Sequence, residues 1–144
     1  MIYVDTSVLV SLFCPDANTV AAASLVSRAR DEMVMTSLGE VETVNALGLR
    51  VFRKEITKRQ AASSLGLFEA DVRTGVFGFR EMPQGAYLRA RDLSLRTTPQ
   101  LGTRTADLLH VAAALELGAA RFFSFDRNQR KAAEAAGLKV NAMP

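Results

Sequence analysis

Apolar residues follow two rhythms along this chain: short continuous runs, and longer stretches that repeat at helical spacing. The runs predict strands at Met1–Val4, Met33–Thr36, Gly75–Phe79, Arg121–Phe125 and Leu138–Val140. Between them the helical spacing dominates. Residues 7–13 (SVLVSLF) are apolar enough to be buried, with Thr6 or Ser7 as a helix cap and Pro15 as a break. An amphipathic helix is expected over Ala17–Arg30, with Val20, Leu25 and Val26 inward. A long helix opens at Thr36 or Ser37 and runs to about Lys54, and another covers Ile56–Thr74.

Pro83 is expected to open a helix through Arg96, followed by a loop over Arg96–Thr103 (RTTPQLGT). Thr103 or Thr105 then caps a strongly apolar helix ending near Gly118. A last helix spans Asp126–Ala136, with Gly137 at its C-cap. Strands alternating with helices imply an α/β fold, a three-layer α/β/α arrangement around a central, mostly parallel sheet of about five short strands. No linker, repeat or low-complexity tract divides the chain, so residues 1–144 are expected to form one domain. In such sheets ligands bind beyond the carboxyl ends of the strands.

Composition narrows the chemistry. Nearly half the residues (49%) are apolar and 23% are charged, with no uninterrupted run long enough to span a bilayer, so no membrane segment is expected. The N-terminus lacks a basic region and cleavage site, so no secretory signal is expected there. A single cysteine, Cys14, cannot form an internal disulfide and fits a reducing compartment, the cytoplasm, where it is expected to be a small buried residue. With one cysteine and one histidine, a structural zinc site is excluded. Any metal is therefore expected to be held by oxygen, which points to Mg²⁺ or Mn²⁺.

Four carboxylates stand in suggestive places: Asp5 after the first strand, Glu42 on a helix, Asp107 in the first turn of the apolar helix, and Asp126 after the fourth strand. Each has a bland alternative, as a helix cap, a turn residue or a partner for the helix dipole. Glu40 and Glu42 lie about 200° apart on a helix, and periodicity does not choose between them. His110, one turn after Asp107, reads as a packed residue with a satisfied hydrogen bond rather than a catalytic base. Leave out the four acids and the 18 basic residues exceed the remaining acids by seven. A basic body around an acidic pocket suits a polyanionic substrate.

Together the segments VDTSVLV, TSLGEVETVNAL, RTADLLHVAAAL and RFFSFDRNQRKAAEAAGLKV resemble the PIN-domain nucleases, in particular the VapC-type toxins of toxin–antitoxin pairs. The resemblance covers almost the whole chain and selects Glu42 over Glu40. It implies a Mg²⁺- or Mn²⁺-dependent endoribonuclease with RNA as substrate, a cognate antitoxin as partner, and a homodimer. It also implies that Asp5, Glu42, Asp107 and Asp126 are the catalytic, metal-holding acids, with Ser7 and Ser124 supporting them. Arg104, by its position one turn before Asp107, is a candidate contact for an RNA phosphate. The alternative is a catalytically silent module of the same fold that binds RNA or assembles with proteins. A phosphatase or phospho-acceptor of another doubly wound class ranks lower, because no second acid adjoins Asp5.

Overall fold

The computed structural model describes residues 1–142. Five strands, β1 (Ile2–Val4), β2 (Met33–Thr36), β3 (Gly78–Arg80), β4 (Arg121–Phe123) and β5 (Lys139–Val140), form one sheet. Their order is β3-β2-β1-β4-β5, and every pairing is parallel. Seven helices connect them: α1 (Thr6–Phe13), α2 (Thr19–Arg28), α3 (Ser37–Phe52), α4 (Lys58–Arg73), α5 (Ala86–Leu101), α6 (Thr105–Glu116) and α7 (Arg127–Ala135).

Strand alternation divides the core in two. Tyr3, Val34 and Phe122 point to one face and pack with Leu93, Leu108, Val111 and Ala132 from α5, α6 and α7. Ile2, Val4, Met35 and Phe123 point to the other and pack with Val8, Leu9, Ala22 and Phe68 from α1, α2 and α4. The three inner strands, β1, β2 and β4, are largely buried on both sides, which is why they read as apolar runs. Tyr3 stacks on Phe122 with centroids 5.5 Å apart, so a tyrosine sits at the centre of the molecule with its hydroxyl needing a partner.

The chain reverses its direction across the sheet beside β1. From β1 it steps outward to β2 and β3, then returns to the other side as β4 and β5. Helices leaving β1 and β4 therefore diverge, opening a crevice at the carboxyl ends of these two neighbours.

Several expectations need correction. The loop expected over Arg96–Thr103 is helical as far as Leu101, with Pro99 inside α5. Leu93 is buried and Leu101 packs on the core, so tertiary contacts hold the last turn. Gly102, at φ 63°, then ends the helix in the left-handed region. Val20 points to solvent (83% exposed), because α2 buries the stripe of Ala22, Leu25 and Val26 instead. Neither Thr103 nor Thr105 caps α6; Arg104 holds the N-cap position. The third strand is Gly78–Arg80 rather than Gly75–Phe79, and the fourth stops at Phe123. Cys14 is buried as expected, its sulfur 3.1 Å from the Arg50 guanidinium. Among the described residues no helix is long and apolar enough to cross a membrane.

Pro99 removes the N–H that would reach the Leu95 carbonyl, one turn earlier. Pro99→Ala should restore that bond and raise stability by about 1 kcal/mol, read as a higher urea midpoint. An unchanged or lower midpoint would show that this turn is held by packing alone.

Candidate active site

The strand ends set the site. β1 stops at Val4 and Asp5 takes an extended backbone (φ −79°, ψ 157°), so that its carboxylate caps α1 by accepting the Ser7 N–H at 3.0 Å. Asp5 is 4% exposed. Its Oδ2 also accepts from Ser7 Oγ (2.6 Å) and lies 3.1 Å from Ser124 Oγ, while Oδ1 accepts from Gln129 Nε2 (3.0 Å). Ser124, just past β4, is fully buried and accepts the Asp126 N–H at 3.0 Å. Ser7 and Ser124 thus brace Asp5 from two neighbouring strand ends.

Glu42 enters from α3. Its Oε2 accepts from Thr6 Oγ1 at 2.8 Å and sits 2.6 Å from His110 Nε2. Asn45 and Leu49, on the same side of α3, line the same pocket. Glu40 is exposed and lines no part of it.

Asp107 and Asp126 form the opposite wall. Asp107 accepts the Arg104 backbone N–H (3.0 Å) at the start of α6, and the Arg104 guanidinium reaches its two oxygens at 3.2 and 3.3 Å. Asp126 caps α7 through the Gln129 N–H (2.8 Å) and lies 3.7 Å from Arg104 Nη2. Arg104 is otherwise exposed, and its charge bridges the two acids. All four acids, with Arg104 and His110, line one open pocket of about 250 Å³.

The four are not equally close. Among the described residues the one group whose donor atoms all lie within 4.8 Å of one another is Asp5, Glu42 and His110. His110 Nε2 is 3.6 Å from Asp5 Oδ1. Its other nitrogen, Nδ1, lies 2.8 Å from the Tyr3 hydroxyl, which lies 2.8 Å from Thr36 Oγ1. His110 is packed and satisfied, as its surroundings in the sequence suggested, yet it also joins the acids. The one close group that could hold an ion therefore includes a nitrogen beside its two carboxylates, where the sequence had pointed to oxygen alone. Thr6 and Gln129 were likewise missed. Their one signal was position: Gln129 lies one turn past Asp126 on its helix, and Thr6 directly follows Asp5.

The electrostatics follow from this crowding. Burial opposes the charged imidazole of His110, but the hydrogen bond to Glu42 and the charges of Asp5, Glu42 and Asp107 outweigh it and raise its pKa. Burial likewise works against the Glu42 carboxylate, yet the His110 and Thr6 contacts hold it below the ordinary carboxylate range. At Arg104 the Asp107 carboxylate raises the guanidinium further.

A family model described as PIN domain matches residues 2–135. No curated protein matches the chain by sequence. Among solved structures, VapC20 of Mycobacterium tuberculosis, described as a sarcin-ricin loop cleaving toxin, is 21% identical, with both chains covered in full and a TM-score of 0.74. FitAcB from Neisseria gonorrhoeae is 15% identical over 99% of this chain and 97% of its own, TM-score 0.67. VapBC2 from Rickettsia felis, bound to a DNA fragment from its promoter, is 17% identical over 98% of each chain, TM-score 0.66. At these identities the likeness is one of fold.

The raised His110 pKa has a measurable consequence in metal-free protein. Its contribution to stability is complete below the unfolded value, about 6.5, and is lost as pH rises through the folded one. In EDTA, the stability advantage of wild type over His110→Gln should be largest near the acid end of that window and shrink toward alkaline pH. Urea midpoints across the range test this, and an advantage that grows with pH would refute the charge assignment.

Proposed function

The chain belongs to the PIN domain family, and on that footing we propose that it is a metal-dependent endoribonuclease, the toxin of a type II toxin–antitoxin pair. The observation that carries the proposal is the meeting of Asp5, Glu42, Asp107 and Asp126, from four separate segments, around one open pocket. Solvent-exposed acids scatter; four acids brought to one crevice repel each other and call for a cation.

The residues suit a divalent ion. Carboxylates that converge at a strand-end crevice are the donors Mg²⁺ and Mn²⁺ prefer. Asp5, Glu42 and Asp107 would hold the ion and Asp126 would complete the site. When bound, such an ion offsets charge on the scissile phosphate and makes water a better nucleophile.

The chain's own residues do the rest. Ser7, Ser124 and Gln129 hold the Asp5 carboxylate in one orientation. Thr6 and His110 both engage Oε2 of Glu42, leaving Oε1 without a hydrogen-bond partner among the described residues. Arg104, with its side chain 77% exposed, can turn from Asp107 to a phosphate oxygen without leaving the rim. The excess of basic residues over acids supports a polyanion as substrate, and RNA is the substrate we assign. No covalent protein nucleophile is required.

A structural neighbour from Klebsiella pneumoniae described as a toxin–antitoxin complex supplies the analogy for an antitoxin. Val41, Val44 and Phe52 of α3 and Leu67 of α4 are exposed apolar residues suited to an antitoxin segment or a second copy of the chain. We assign the protein to the cytoplasm, as a partner of antitoxin and RNA.

The decisive assay is purified protein on total cellular RNA with Mn²⁺ or Mg²⁺, then with EDTA, and end mapping of fragments. Metal-dependent cuts at defined positions are expected, and EDTA should abolish them. Asp5→Asn and Asp107→Asn should remove cleavage while the melting temperature stays near wild type. Glu42→Gln should be far more damaging than Glu40→Gln. Retention of RNA with no metal-dependent cleavage would favour a silent binding module instead.

A further inference from the structure

We infer that the exposed cationic face of α7 is a phosphate track, which holds the backbone of the RNA strand where it leaves the acidic pocket. This inference rests on the nuclease reading above and adds to it the path of the substrate.

The track begins where the site ends. Asp126 caps α7 and lines the acidic pocket together with Gln129. Arg127, Arg130, Lys131 and Glu134 line a separate, shallow concavity of about 400 Å³. These four cover about 100° of the helix circumference, and the opposite side buries Gln129, Ala132 and Ala133. Asp126 and Arg127 are consecutive, so the cationic face starts at the rim of the pocket. Arg104, 3.7 Å from Asp126, carries positive charge across that rim.

Helix stability does not call for this arrangement. The N-terminal end of a helix is its positive pole and disfavours cations. Yet Arg127 is the first residue of α7 and Arg130 closes its first turn, which holds no acid, while the last turn holds no cation. Arg127 and Lys131 are four apart, a spacing at which like charges weaken a helix. Neither pairs with a carboxylate among the described residues, whereas Arg50, Arg80, Arg89 and Arg104 each do. Arg130 donates to the main-chain carbonyl of Asn141, which fixes its place without neutralising it. Cations kept together against local stability, beside a pocket that takes a phosphate, are balanced by further phosphates.

The side chains suit a nucleic-acid backbone. Guanidinium groups grip phosphate through paired hydrogen bonds, and the lysine adds a mobile point charge. Arg127 and Lys131 lie about 6 Å apart along the axis, so the face can hold neighbouring phosphates of one strand. None of the four residues is aromatic or an amide, so the track positions the strand and reads no base.

Fluorescence anisotropy of the full chain in EDTA, with labelled oligouridylate and oligoadenylate over a salt series, tests this. Arg127→Gln/Lys131→Gln should bind both RNAs about tenfold more weakly at low salt. Its log–log salt slope should be shallower by about 1.4, the value for two lost contacts to a single strand. Arg127→Lys/Lys131→Arg should keep the wild-type slope. So should Arg28→Gln/Arg30→Gln, which removes two exposed cations ahead of β2, at the amino ends of the strands and away from the crevice. An unchanged slope in the α7 variant, or an equal loss in the Arg28/Arg30 control, would overturn the track. Competition by polyglutamate as effective as that by unlabelled oligouridylate would also overturn it, in favour of an acidic protein segment. Wild-type cleavage of total RNA with Mn²⁺ is scored alongside. If it is present, those results leave the nuclease reading standing; a wild type that neither binds nor cuts RNA sinks both.

Discussion

Like charges buried together at the head of the central strand are the constraint on which this structure turns. Two carboxylates about 4 Å apart at an effective dielectric of 20 repel by about 4 kcal/mol, a large fraction of a small domain's net stability. The fold answers with cations placed between acids. His110 stands between Asp5 and Glu42, and Arg104 stands between Asp107 and Asp126. Hydroxyl and amide donors from Thr6, Ser7, Ser124 and Gln129 absorb what remains. The pocket is thus a set of negative charges compensated by groups that a bound ion or a phosphate can displace.

The sheet makes this arrangement possible. β1 is central and short, buried on both faces, and flanked by strands reached by crossovers of opposite direction. Its carboxyl end is the one place where α1, α3, α6 and α7 can each present the first turns of a helix to a common point. Asp5 and Asp126 cap helices and Asp107 lies in a first turn, so the bland and the functional roles coincide. An acid at a helix start is stabilised by that helix, which helps to explain how several acids can be kept there.

Much of the fold was legible in the pattern of residues. Continuous apolar runs marked four of the strands closely and the fifth approximately, since doubly covered strands carry no polar alternation. The turn at Gly137 was readable from its position after an Ala-rich helix, and its φ of 92° agrees. Pro99 misled because a local rule against helix was overridden by the buried Leu93 and the packed Leu101 on either side of it. Val20 misled because the inward stripe of α2 runs through Ala22, Leu25 and Val26, and Val20, two residues before Ala22, lies about 200° round the helix from it.

The sequence by itself determined that acids stand at strand ends and helix starts, because strand periodicity and capping are local properties. It also narrowed Glu40 or Glu42 to one turn of one helix. Periodicity could not choose between them, because both faces of α3 carry apolar residues; the family resemblance selected Glu42, and in the tertiary structure it is Glu42 that enters the crevice where α1 and α6 pack. Only the tertiary structure put His110 at the centre of the acids, since a ring in an apolar helix declares its direction through contacts more than a hundred positions away in the chain, at Tyr3 and Asp5. Local chemistry is written in neighbours along the chain; convergence is a property of packing.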